Sequence, residues 1–505
     1  MRVSPSGAAR IRRAAILVAA VGATACGDNL PGDDGPSDAY LARCAVPRAG
    51  ASAVTGEDFP DVPGTVDDEK RWVRAWIDEL YLWYREVPDQ DADDYADPIS
   101  YFDVLKTPAT TTSGAPKDRF HFTYPTDAWE ALSLRGVEPS YGVTWAIVAA
   151  QPPRRVIAAY NQPGSPAAAA SVGRGVEVLS VDGVDLINGS DVAALNAGLL
   201  PAGVGETHTF EVLDPGAAAP RTVSLTSTTV EIAPVQNVSV VETPTGRVGY
   251  LTFTDHIATA ESELVDAIGQ LAAGGGVSDL VLDLRYNGGG YVAIASQVAY
   301  MIAGPKRTDG KTFERIVFND KYPSRNPVTG QPLTPVPFID TTLGFSTTAN
   351  QPLPSLGLRR VFVLTGPGTC SASESLVNGL RGIDVEVIQI GATTCGKPFG
   401  FYPQDDCGTT YFSIQFQGVN AKGFGDYTDG FVPGSAEPAG IPGCVVADDF
   451  SRALGDPAEA RFQAALAYRE SGACPPAASL SRVIDAPLSA VDGDIVKSPW
   501  HMNRF

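Results

Sequence analysis

A chain of 505 residues, 44% of them hydrophobic, is long enough for more than one domain and apolar enough for a sizeable core, which excludes wholesale disorder. Its 58 acidic side chains against 37 lysines and arginines give a net charge of −21, so no basic stripe meets phosphates and nucleic acid is excluded as a partner class. Four histidines, and seven cysteines without a C-x-x-C pair, offer no zinc-ligand set; no metal or other cofactor is expected.

At the start of the chain, Arg2, Arg10, Arg12 and Arg13 make a basic start before a short apolar run, Ala14 to Val21, followed by Ala23-Thr24-Ala25. That run is too short to span a bilayer as a helix, so residues 1–25 read as a signal peptide. Cys26 at the cleavage point resembles the lipobox of bacterial lipoproteins, with Ala23 where leucine is usual. The resemblance implies an acylated cysteine, the alternative being plain cleavage that leaves Cys26 unmodified. Residues 26–65 read as the anchor's tether, with Gly27 to Ala39 rich in Gly, Pro and Asp. Loss of residues 1–25 removes four arginines and no acids, taking the charge to −25, a reserve of solubility. The six cysteines beyond Cys26 are an even number in an exported chain, so disulfides are expected. Cys395 and Cys407 flank a short Gly- and Pro-containing stretch and could close a local loop; the sequence leaves the pairing open.

Residues 66–135 read as a small helical N-terminal domain. Val73, Trp76, Ile77, Leu80, Trp83 and Tyr84 recur at helical spacing, as a core face or as a lid over a peptide groove. Residues 136–235 turn to short β-rich runs punctuated by Gly and Pro. Tyr141-Gly142-Val143, the helix start Gly164-Ser165-Pro166-Ala167 and the strand and turn from Gly175 to Gly183 resemble a PDZ domain of the bacterial protease type, with Val176 where an aspartate is usual. The resemblance implies that Tyr141, Gly142 and Val143 form a carboxylate-binding loop beside a sheet edge that takes an extended peptide. A spacer role is the alternative.

Residues 236–474 alternate strand and helix. Strands are expected at Arg247–Phe253, Val277–Leu284, Arg360–Leu364 and Val385–Ile390, and helices at Ala258–Ala272, Val292–Ile302 and Ser371–Leu380, with a long insertion at about 304–355. Apolar strands separated by helices imply an α/β fold on a largely parallel sheet. Three loops follow strand ends: Asn287-Gly288-Gly289-Gly290, Thr369 to Glu374, and Gly396-Lys397. Loops at the carboxyl ends of parallel strands share one edge, where ligands bind. The tail at 475–505 carries no readable pattern.

Ser371 enters a helix, where unpaired amides and the helix dipole favour an oxyanion and Ala372 N–H is the natural donor. Gly289 or Gly288 could supply a second donor, because glycine lets the backbone approach a reacting carbonyl. Ser371-x-x-Glu374 also reads as a capping box, and Ser373 is a weaker nucleophile candidate. Lys397, between Gly396 and Pro398, becomes a base if burial lowers its pKa from about 10.4.

Together, Asp283-Leu284-Arg285-x-Asn287-x-Gly289-Gly290, Ser371-Ala372-Ser373-Glu374 and Gly396-Lys397 resemble the carboxyl-terminal-processing (tail-specific) serine protease family, in its bacterial lipoprotein branch. The resemblance covers residues from about 136 to 470 and implies a crotonase-like protease domain behind the PDZ-like and helical units. It makes Ser371 the nucleophile, Lys397 the general base, and Gly289 with Ala372 the oxyanion hole. Phe401 stands where many members orient the lysine with glutamine, the nearest glutamine being Gln404, and Cys370 replaces the usual alanine. His121 and His256 are expected to be structural. The function implied is endopeptidase action on extracytoplasmic proteins with exposed C-termini, with membrane contact only through Cys26, facing the periplasm or the cell exterior. Alternatives are a peptide-binding lipoprotein with a decayed protease body, and a crotonase-like acyl-thioester enzyme, which export and the PDZ-like insertion disfavour.

Overall fold

The computed structural model describes residues 37–476; the expected signal peptide, Cys26 and nearly all of the tail lie outside the described residues. Among the described residues, no helix is long and apolar enough to cross a membrane.

The expected tether is folded from Ser37 onward. Ala42 N–H donates to Asp406 at 2.7 Å, Arg43 pairs with Val62, and a disulfide joins Cys44 to Cys407. This overturns the local Cys395–Cys407 loop; the other bridges are Cys370–Cys395 and Cys444–Cys474.

Helix α1 (Val66–Leu80) starts at Thr65, whose hydroxyl accepts Asp68 N–H while Asp68 accepts Thr65 N–H. Its apolar stripe buries Trp72, Val73, Trp76 and Ile77 against Phe399, Phe401, Tyr411 and Phe412, so it is a core face shared with the chain beyond Lys397. Each such side chain contributes about 1.5–3 kcal/mol through burial. Helix α2 (Pro98–Phe102) adds Phe102 to the same core. Only turns and irregular chain occupy 103–121, so the region is less helical than its composition suggested. Strand β1 (Phe122–Pro125) pairs antiparallel with residues 409–412, which ties this region to the chain beyond Lys397, and helix α3 (Thr126–Arg135) ends at Gly136 with φ +63°.

The next unit is an antiparallel sheet of β2 (Val143–Ala149), β3 (Arg155–Asn161), β4 (Glu177–Val181), β5 (Thr207–Leu213) and β6 (Arg221–Thr226), in the order β6-β5-β4-β3-β2. β2 is an edge strand. A one-turn helix at Pro166–Ala169, capped by Ser165, and α4 (Val192–Leu199) cover the sheet.

The largest unit is built on a six-stranded sheet. Strand β7 (Val235–Thr243) pairs antiparallel with β8 (Gly246–Phe253); β9 (Asp279–Asp283), β11 (Arg360–Thr365), β12 (Glu386–Gly391) and β15 (Gly443–Val445) then follow in parallel. Helices α5 (Ala260–Ala272), α6 (Val292–Ala303) and α7 (Ala372–Gly382) pack their apolar residues on one face, and α8 (Ala460–Ser471) covers the other. The insertion at 304–355 contains strand β10 (Thr312–Phe318), which pairs with β14 (Phe416–Val419), while β13 (Thr409–Phe412) is the partner of β1.

Candidate active site

Register places Asp283 opposite Leu364 and Thr365 opposite Gly391, so β9, β11 and β12 end side by side. The loops that follow are laced together: Leu284 N–H donates to Leu364 O at 2.9 Å, Cys370 N–H to Asn287 O at 3.0 Å, and Cys395 N–H to Thr369 O at 3.0 Å. The convergence expected of loops that follow parallel strand ends is therefore present.

Ser371 precedes α7 with φ +54° and ψ −115°, a conformation that L-residues disfavour by about 1–3 kcal/mol. A nucleophile on a tight strand-to-helix turn has this character, because the turn projects the hydroxyl from the loop. Ser373 is fully buried and its hydroxyl donates to Asn287 O at 3.2 Å, so it serves as a brace between loops. That division of labour favours Ser371 over Ser373. In the first turn of α7, Ser371 N–H goes to Glu374 and Ser373 N–H to Cys370 O. Ala372 N–H is left as an orphan amide among the described residues.

Glu374 does more than cap. Its completely buried carboxylate accepts Ser371 N–H (3.0 Å), Gly396 N–H (2.9 Å), Lys397 N–H (2.8 Å) and the Thr394 hydroxyl (2.5 Å). One carboxylate thus holds the backbone of both expected catalytic residues. Burial pushes its carboxyl above the ordinary range, while these donors pull it down.

Lys397 is fully buried, with its Nζ 4.2 Å from the Phe401 ring centre and 4.9 Å from that of Phe120. Burial holds the amine well below the ordinary lysine range, partly offset by Asp118 and Glu374. Phe401, where glutamine is usual, therefore supplies an aromatic wall. Gln404 is no substitute, since its amide donates to Asp405 O. Phe120 comes from the N-terminal region, and its neighbour Arg119 donates to Cys395 O and to Thr428 O. The N-terminal region walls the base, a role its sequence did not reveal.

The glycine turn is anchored by Asn287, whose Nδ2 donates to Phe253 O at 3.0 Å while its Oδ1 accepts Gly289 N–H at 2.9 Å. The expected oxyanion donor Gly289 is thus engaged within its own turn, because the asparagine closes on the amide two residues ahead. Gly288 lines a narrow cleft together with Gly142, Val143, Gln162 and Tyr286. Gly290 has φ +128°, and a Cβ there would lie 2.6 Å from His256 O, so only glycine fits. His256 Nδ1 lies 3.0 Å from Asn287 Oδ1, and burial depresses its pKa to about 4. His121 is 2.8 Å from Phe102 O and is likewise depressed by burial to about 4. The hydrogen bonds of these two rings go to Phe102 O and Asn287 Oδ1.

In the 141–143 loop, Tyr141 is buried and its hydroxyl donates to Gly198 O, so its side chain is core rather than lining. Gly142, at φ +72°, would bring a Cβ within 2.2 Å of Ser165, and its N–H donates to the Ser140 hydroxyl. Val143 begins the edge strand β2. This loop and the glycine turn face one cleft. Arg285, in the same motif as Asn287, is buried and bonded to Asp283, Asp448 and Glu459, while Arg174 bonds Asp448 and Tyr286. Sequence reading singled out none of Glu374 as a hub, Asn287, the Cys370–Cys395 pair or Phe120. The first two lay within motifs already noticed.

Residues 247–401 match the sequence profile of Peptidase family S41, and residues 68–124 that of the Peptidase S41 N-terminal domain. A carboxyl-terminal-processing protease of Picosynechococcus sp. is 29% identical over 236 residues, covering 46% of this chain and 49% of the relative. A protein of the same description from Synechocystis sp. is 26% identical, covering 46% and 47%. The chain spans about half the length of the curated relatives it matches. A crystal structure of a candidate S41 protease from Bacteroides fragilis shares the fold, with a TM-score of 0.59 at 22% identity, over 82% of this chain and 98% of that one. Residues 247–401, which carry Ser371 and Lys397, thus match Peptidase family S41 behind a match to its N-terminal domain, and the resemblance to carboxyl-terminal-processing proteases read from the motifs is borne out.

Proposed function

We propose that the chain is a serine endopeptidase working through a Ser371–Lys397 pair. The observation that carries this reading is the single Glu374 carboxylate accepting the backbone N–H of both residues, with the lysine buried between two phenylalanine rings. Neutral Lys397 takes the Ser371 proton as the hydroxyl attacks a peptide carbonyl. The oxyanion is met by Ala372 N–H, with Gly288 N–H from the turn as second donor, since Gly289 N–H is taken by Asn287. The protonated amine then delivers its proton to the leaving nitrogen, and water hydrolyses the acyl-enzyme.

The 136–235 unit acts as a PDZ-like module. Its edge strand β2 and the 141–143 loop capture substrate C-termini beside the cleft that reaches the glycine turn. Export by residues 1–25 and acylation of Cys26 place the enzyme on a membrane surface, facing extracytoplasmic proteins. A fluorophosphonate probe and an unfolded protein with an apolar C-terminus test the chemistry. Wild type labels and cleaves; Ser371→Ala does neither, and Lys397→Ala loses turnover. Turnover retained by the lysine variant would overturn the pair.

A further inference from the structure

The disulfide Cys370–Cys395 joins the residue immediately before Ser371 to the residue two before Lys397. We propose, on the Ser371–Lys397 reading above, that this bond is a positioning element of the catalytic pair, and that its reduction lowers turnover while the fold persists.

Backbone bonds beside the bridge join the same loops. Cys370 N–H donates to Asn287 O and Cys395 N–H to Thr369 O, so the bridge sits where all three loops meet. Besides the Cys395 N–H to Thr369 O bond, the serine and lysine loops are tied by Glu374, which bonds Ser371, Thr394, Gly396 and Lys397. A carboxylate bridge of hydrogen bonds is compliant, whereas a covalent bridge fixes the separation of its ends. Ser371 needs fixing, because its φ of +54° lies in a region that an unrestrained serine leaves. The other two bridges, Cys44–Cys407 and Cys444–Cys474, do not join the serine loop to the lysine loop.

Cys370 is buried but Cys395 is partly exposed, so a small dithiol has access from the Cys395 side. Its thiolate attacks the Cys395 sulfur, the bond between the two cysteines breaks, and Cys370 leaves as a thiolate that takes up a proton. The second thiolate of the reductant then displaces Cys395, which is protonated in turn, and the reductant closes as a cyclic disulfide. Two electrons pass to the protein, and an oxidised dithiol reverses the exchange.

The test compares Cys370→Ala/Cys395→Ala with Cys444→Ala/Cys474→Ala, using turnover of fluorescein-labelled casein and the rate of fluorophosphonate labelling. The first variant is expected to lose on the order of tenfold to a hundredfold in kcat and in labelling rate with KM little changed, and to ignore dithiothreitol. The second variant keeps its kcat and stays sensitive to dithiothreitol. If Cys370→Ala/Cys395→Ala does not fold, wild type is titrated with dithiothreitol and each bridge mapped by alkylation; activity must fall with the 370–395 bridge and return on reoxidation. Wild-type kcat in the folded first variant, or activity persisting after that bridge opens, overturns the proposal. Ser371→Ala separates the two readings: if it is inactive while the cysteine variant is fully active, only the disulfide proposal fails; if it is active, the Ser–Lys reading fails.

Discussion

Glu374→Gln is the sharpest perturbation of the site, because it exchanges one oxygen for an NH₂ group and leaves the shape. The carboxylate divides its donors evenly: Oε1 accepts the Thr394 hydroxyl and Gly396 N–H, and Oε2 accepts Ser371 N–H and Lys397 N–H. A glutamine keeps one oxygen and turns an NH₂ toward the other two donors, whichever way the amide lies. Two charge-assisted hydrogen bonds are then lost, at about 1.5–3 kcal/mol each, for a total of about 3–6 kcal/mol. If the NH₂ faces Ser371 and Lys397, kcat falls more than stability; if it faces Thr394 and Gly396, the base loop loosens first. Urea unfolding gives the stability difference, and the rate of fluorophosphonate labelling gives the effect on the nucleophile. A variant within about 1 kcal/mol of wild type, labelling at the wild-type rate, would refute the assignment of Glu374 as the bridge between the loops.

Burial holds Lys397 below the ordinary lysine range, so between its folded-state midpoint and about 10.4 the unfolded chain binds a proton that the folded chain does not. Stability therefore rises with pH across that window by about 1.4 kcal/mol per pH unit and is lost as pH falls through it. Urea midpoints measured against pH check the slope, which vanishes in Lys397→Met, a variant more stable than wild type near neutrality. The pH profile of kcat/KM has its acidic limb below the pH at which a solvated lysine titrates. Arg285→Met strands the buried carboxylates of Asp283, Asp448 and Glu459 and costs about 3–5 kcal/mol in denaturant unfolding, part of which Glu459→Leu restores. Ser373→Ala removes one bond to Asn287 O, costs about 0.5–1.5 kcal/mol by urea unfolding, and leaves fluorophosphonate labelling at Ser371 intact.

Much of the fold was legible because the strands of the α/β unit are short apolar runs bounded by glycine. The expected strand 385–390 lies at 386–391 and the expected helix 292–302 at 292–303. Parallel pairing of neighbours then implied that the glycine turn, the serine and the lysine share an edge. What the sequence hid is contact between residues far apart in the chain. Phe120 reads as one more aromatic, and nothing local says that it faces Lys397. Strand β10 lay within a stretch rich in Pro, Thr and Asn, and its partner β14 is nearly a hundred residues on, so no hairpin signal marked it. The cysteine pairing was open for the same reason: two cysteines flanking a loop look like partners until the Cys44 segment docks beside Cys407.

The wall that Phe120 builds beside Lys397 has a bearing on how the chain comes to life. Arg119 and Cys395 are separated by 276 residues, and β1 needs β13 as its partner. A chain emerging amino end first carries Phe120 long before the lysine exists. Until both segments have met, water reaches the amine, which stays protonated and chemically idle. On the proposed Ser371–Lys397 reading, a partly emerged chain therefore lacks the neutral amine that the chemistry requires.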